Sequence, residues 1–266
     1  MKSMFRTALL GLLIAVTPVM ADPLPSVELE QLTSPEVAAL QRQGWDTIII
    51  PTGGTEQNGP HLTLGKHNII IRYTAAMIAR RLGKTLVAPV MAYVPEGNIN
   101  PPEGHMRSPG TITLPEPVFE AFLETVARSF LATGFKTVLL IGDSGGNQAA
   151  QEKVSAKLND AFAGTGAHVF AVGDYYTANG QVDWLRGAGE SGADIGVHAG
   201  IRETSELLAV APQSVRQDNL TPQTGGIDVA INGRPDHAKE AWGRALLELK
   251  IEAALRQIRK LRDPAQ

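Results

Sequence analysis

The chain has 266 residues, 43% of them hydrophobic, which is enough for one large core. A formal charge of −3 and a pI near 6.1 leave no basic footprint for nucleic acid or an anionic membrane. There is no cysteine, which excludes a disulfide framework.

The first residues read as an export signal. Lys2 and Arg6 flank the start of an apolar run, Ala8 to Val16, that is too short to span a bilayer. Val19-Met20-Ala21 offers small or modest side chains to a signal peptidase. A signal peptide over residues 1–21, cleavage before Asp22 and one mature domain over 22–266 are expected. Such a protein would be periplasmic or secreted from a bacterium, with no stable membrane anchor after cleavage.

Residues 22–33 are Pro-rich and read as irregular. Ser34-Pro35-Glu36 reads as an N-cap, a proline at the first helical position and an acidic first turn; Gly44 stops that helix. Ile48, Ile49 and Ile50 form a first buried strand. Asn68 to Leu82 carries a helical stripe of Ile71, Ala75, Ile78 and Leu82, ended by Gly83. Thr85 to Val94 reads as a second strand, followed by a long loop over 95–108. A loop of that length inside a compact domain is usually functional or disordered. Pro115 opens a helix reaching Thr133, with Phe119, Phe122, Val126 and Phe130 on one face. Lys136 to Ile141 is a continuous apolar run, the pattern of a central parallel strand. A helix from Asn147 to about Phe162 and a strand from His168 to Val172 follow. Residues 173–197 and 212–235 read as irregular, around a short helix ending near Val210. Asp236 is expected to cap a final amphipathic helix through about Leu261. Strands alternating with helices argue an α/β sheet, mostly parallel, and no linker, repeat or low-complexity tract divides the mature chain.

The chemistry concentrates after the first strand. The stretch from Pro51 to Asn68 carries Glu56, Gln57, Asn58, His61 and His67 in a Gly- and Pro-rich loop between a buried strand and a helix. Open α/β sheets place their sites in such loops. The Glu56 loop, the His105 loop, the Asp143 loop and the His198 segment should converge, because the C-terminal ends of parallel strands share one edge. Each residue also has a structural reading. Glu56 could cap a helix or pair with Lys66, His67 could cap the helix, and Asp143 could form an Asx-turn.

The stretch resembles the signature of the creatininase family, Gly-Ser-x-Glu-Gln-His-Gly-Pro-His-Leu-Pro-Leu-x-x-Asp. Glu56, Gln57, Gly59, Pro60, His61, Leu62 and Leu64 match, while Asn58 stands for a ligand His and His67 for a ligand Asp. His105 with Pro109-Gly110-Thr111-Ile112 resembles a second family segment. Gly145-Gly146-Asn147 matches the end of a third, Asn-Gly-His-Gly-Gly-Asn, whose ligand His falls at Ser144. Gly146 stands where creatininase itself has a Glu. His198-Ala199-Gly200 with Glu203-Thr204-Ser205 matches a fourth, and Gly233-Arg234-Pro235 resembles a Gly-x-Pro segment.

The resemblance implies a three-layer α/β/α fold, a homo-oligomer and metal-dependent hydrolysis of a C–N bond in a small amide, cyclic amides included. Glu56, His67 and Asp143 are then expected to hold one divalent ion, zinc, manganese or iron, since an imidazole at 67 cannot readily bridge two. His198, supported by Glu203, would protonate the leaving nitrogen. Asn58, His61, His105, Ser144, Gly145 and Gly146 would contact substrate. The rival reading is a non-catalytic binding protein that has lost its metals, and ester or lactone hydrolysis at the same site is a third.

Overall fold

The computed structural model describes residues 26–221, 223–224 and 231–263, so the expected signal peptide and its cleavage site lie outside the described residues. Four strands, β1 (Thr47–Thr52), β2 (Thr85–Val87), β3 (Thr137–Gly142) and β4 (His168–Ala171), form a sheet in the order β2-β1-β3-β4. Every pairing in it is parallel. The expected mostly parallel α/β fold is therefore the fold observed.

The period-two alternation of strands divides the core between two faces. Ile48, Ile50, Leu86, Val138 and Leu140 face one side. There they meet Leu40 of α1 (Ser34–Arg42), Phe119 and Leu123 of α3 (Glu116–Ala132), and Val154 and Leu158 of α4 (Gln148–Ala161). Ile49, Val87, Leu139 and Ile141 face the other, against Ile71, Ala75 and Ile78 of α2 (Lys66–Leu82) and Ile251, Leu255 and Ile258 of α9 (Glu240–Arg262). Both faces are covered, which is why these strands read as unbroken apolar runs.

Several boundaries differ from the sequence reading. Thr33, not Ser34, caps α1: its N–H donates to Glu36 Oε2 at 2.6 Å. The second strand stops at Val87, because Pro89 has no N–H to continue the ladder. Residues 173–197 contain three short helices, α5 (Asp174–Thr177), α6 (Gln181–Gly187) and α7 (Gly192–Ile195). These lead into α8 (Ile201–Val210). Asp236 does not cap α9; Lys239 does, and Asp236 pairs with Arg234 at 2.7 Å. No helix among the described residues is long and apolar enough to cross a membrane.

Candidate active site

The C-terminal ends of β1 and β3 are locked together by one amide. Asn147 Nδ2 donates to Thr52 O at 3.1 Å, to Thr52 Oγ1 at 2.8 Å and to Gly53 O at 2.9 Å. Asn68 Oδ1 accepts the Gly54 N–H at 3.0 Å, and a Cβ on Gly53 would collide with Asn68. The backbone must pass this close for the loop to turn Glu56 back over the sheet edge. The β2–α3 loop brings Glu96 and His105 to the same place, and the turn before α8 brings His198.

A cavity of about 440 Å³ results, the size of a small-molecule site. Glu56, His67, His105, Ser144, Gly145, Gly146, His198 and Glu203 all line it, joined by Glu96 and Tyr176. Asn58, His61 and Asp143 do not line it. Asn58 is buried and donates from Nδ2 to Glu56 O at 2.9 Å and Thr63 O at 3.2 Å, so it shapes the loop. His61 is buried, with Nε2 at 3.1 Å from both Ala199 O and Thr204 Oγ1. Burial lowers its pKa to about 4, so it is neutral and braces the His198 segment. The expected substrate contacts of Asn58 and His61 are replaced by these scaffolding bonds.

The expected ligand trio of Glu56, His67 and Asp143 does come together, but as a hydrogen-bonded chain. His67 Nε2 lies 2.9 Å from Glu56 Oε1 and its Nδ1 lies 2.7 Å from Asp143 Oδ2. With a carboxylate at each ring nitrogen, the imidazole donates twice and has no lone pair for a metal. Asp143 Oδ1 accepts from Tyr175 Oη and from Lys250 Nζ, each at 2.7 Å. Lys250 Nζ also donates to the buried Glu206 at 3.1 Å. Asp143 is thus committed to a buried network rather than to the cavity.

A second cation stands beside His67. Lys66 is completely buried, with Nζ 3.1 Å from Glu56 Oε1 and 2.8 Å from Glu203 Oε1. Burial opposes its charge, but Glu203 and Glu56 outweigh burial and hold its pKa above the ordinary value. Burial opposes ionisation of Glu56 as well, yet Lys66 and His67 hold its pKa well below normal. Asp143 and Glu203 are also lowered, against burial, chiefly by Lys250 and Lys66 respectively. His67 is raised to about 10: burial and Lys66 oppose its charge, and Glu56 and Asp143 prevail. Lys66, His67 and Lys250 therefore balance Glu56, Asp143 and Glu203. Glu96 behaves oppositely, since burial and the neighbouring Glu56 push its pKa up to about 9, and it carries a proton at neutral pH.

Ligand atoms converge elsewhere in the cavity. One atom each of Glu56, His105 and His198 lie within 4.8 Å of one another. His198 Nε2 donates to Gln57 O at 3.0 Å, which leaves the Nδ1 lone pair facing Glu56 Oε1 at 3.6 Å. Burial and Lys66 lower the pKa of His198 to about 4, so it is neutral and suited to be a ligand or base, not a resting proton donor. His105 Nε2 lies 3.1 Å from Glu56 Oε2, and its Nδ1 lies 2.9 Å from Gln57 Nε2. Gln57 Oε1 accepts the Gly59 N–H at 3.3 Å, so the Gln57 amide nitrogen donates to His105 Nδ1 and Nε2 carries the proton that faces Glu56, a proton a metal on Nε2 would displace. Glu203 supports His198 indirectly. Its Oε2 accepts the Ala199 N–H, and Ala199 sits at φ 50, a left-handed conformation that costs energy without a glycine.

The sequence reading missed Glu96 and Lys250 and took Lys66 only as an ion-pair partner. Lys250 had a signal: it stands within the apolar stripe of Leu246, Leu247, Ile251 and Ala254 on α9. Glu96 had only its place in a long loop.

A parallel α/β sheet with carboxylates and imidazoles gathered over a cavity at its C-terminal edge defines a small-molecule site of the open-sheet class. The family model described as Creatininase: Creatinine amidohydrolase matches residues 30–258, and the chain belongs to that family. Its members are metal-dependent hydrolases of amide bonds. A mycofactocin precursor peptide peptidase of Mycobacterium ulcerans is 29% identical over 239 residues, covering 80% of this chain and 85% of the relative. A 3-dehydro-scyllo-inosose hydrolase of Thermotoga maritima is 31% identical over 101 residues, 38% of this chain and 30% of that protein. A solved structure titled Creatininase Mn superposes with a TM-score of 0.74 at 21% identity, over 88% of this chain and 98% of the other. A mutant creatininase titled Zn-Zn type gives 0.71 at 22% identity over the same shares, 88% and 98%.

Proposed function

We propose that the chain hydrolyses a C–N bond of a small amide in this cavity, with a single divalent ion held by Glu56, His105 and His198. The observation that carries the reading is the convergence of these three side chains, with the His198 Nδ1 lone pair directed inward. One carboxylate and two imidazoles suit zinc, manganese or iron. A divalent ion bound there would supply an activated water and a polarised carbonyl at neutral pH.

The remaining steps fall to the protein. Glu96 lines the cavity as a carboxyl that burial and the neighbouring Glu56 keep protonated, so it holds the proton that a departing amine needs. Glu203 fixes Ala199 and thereby the aim of His198. Gly145 and Gly146 line the cavity beside the start of α4, where the helix terminus favours negative charge. The names of the relatives span a cyclic amide and a peptide, so substrates of both kinds belong in the search.

Elemental analysis of protein purified from its native host, with a screen of cyclic amides, linear amides and short peptides, tests the reading. One equivalent of metal and turnover abolished by chelation are expected. Sequencing the amino terminus of the same preparation checks the proposed export, for which Asp22 is the expected first residue. Absence of both metal and turnover would favour the rival binding protein, which the charge-balanced network would also suit.

A further inference from the structure

We propose that the Lys66 ammonium is a built-in cation that does the work of a second metal ion, tying Glu56 to Glu203 and limiting the cavity to one divalent ion at most. The inference rests on the hydrolase reading only for the location of that one ion. The solved neighbour titled Zn-Zn type shows that this fold can hold a metal pair. Here the place is differently filled.

Three observations carry it. Lys66 Nζ bridges two carboxylates from different parts of the chain, Glu56 after β1 and Glu203 in α8, as a cation shared by anionic ligands does. His67 continues the chain by donating to Glu56 and Asp143, so Glu56 Oε1 already faces two donors. A second divalent ion between Glu56 and Glu203 would have to take the place of the ammonium, since like charges that close repel strongly out of water. Finally, the wall opposite cannot contribute another ligand from position 146. A Cβ on Gly146 would collide with the Pro95 carbonyl oxygen, so the β2–α3 loop closes the space a longer side chain would need. Ser144, Gly145 and Gly146 thus present no strong ligand on that side.

Lys66 acts as a positioning residue, since it is fully buried and does not line the cavity. Its removal leaves two buried carboxylates that a metal can satisfy. The test is manganese stoichiometry, by elemental analysis after dialysis, together with thermal unfolding with and without Mn²⁺. Wild type is expected to bind one equivalent. K66M and the double variant K66M/H67D are expected to bind one equivalent more than wild type. They should unfold earlier than wild type in chelator and recover by roughly 5–10 °C in saturating Mn²⁺. Two equivalents in wild type would overturn the inference while leaving the hydrolase reading intact. No metal in wild type but one equivalent in the variants would support the inference and remove the ligand trio. Variants that match wild type in chelator, or that fail to fold even with Mn²⁺ present, would also overturn it.

Discussion

At the scale of residues, the site is governed by which side chains can be charged together. Glu96 and Glu56 cannot both ionise at low cost, and Lys66 and His67 settle the matter in favour of Glu56. The pKa of Glu96 rises from 4.5 to about 9, so the folded chain keeps a proton that the unfolded chain has lost. Its contribution is whole below pH 4.5 and is lost progressively as pH climbs towards 9. Glu96→Gln mimics the protonated acid and cannot titrate. In chelator-treated protein it should raise stability at pH 8 by roughly 1–4 kcal/mol and flatten the alkaline fall, as read by denaturant unfolding across pH. The same substitution should lower turnover, since the amide cannot release a proton. A variant less stable than wild type at every pH would place an ionised carboxylate at Glu96. The sequence disclosed Glu56, His105 and His198 through their motifs. It could not disclose that His67 would be held at both ring nitrogens, because its partners lie eleven residues upstream at Glu56 and 76 residues downstream at Asp143.

At the scale of elements, the strands and long helices were legible because each satisfies a period. The isoleucines of β1 and the stripe on α2 needed no tertiary information. What eluded the reading were the short helices α5, α6 and α7, four to seven residues long, which have too few turns to show a stripe. Lys250 stands within the apolar face of α9 and neutralises Asp143 from across the core. The docking of α9 on α8 depends on Gly243, where a Cβ would run into the Ser205 carbonyl. Gly243→Ala should therefore destabilise the fold by about 1–3 kcal/mol, despite the better helix propensity of alanine. Chemical denaturation measures this, and an unchanged or raised midpoint would mean that α8 and α9 separate freely. Because α8 carries Glu203, the same variant should also loosen the hold on His198.

At the scale of the whole molecule, the parallel sheet gathers chemistry from distant parts of the chain onto one edge. Glu56 follows β1, Glu96 and His105 follow β2, Ser144 to Gly146 follow β3, and His198 arrives through the short helices after β4. The family signature thus has a physical basis here in the locked ends of β1 and β3. The departures at Asn58, His67 and Ser144 are equally coherent. Asn58 braces the loop, His67 joins two carboxylates, and Ser144 lines the cavity without a strong ligand group. The central claim is that the remaining ligands form one metal site. Anomalous diffraction from crystals grown with Mn²⁺ tests it most directly. The account predicts one peak per chain, in contact with Glu56, His105 and His198. A peak bound by His67 or Asp143, a second peak beside Lys66, or no peak in the cavity would contradict it.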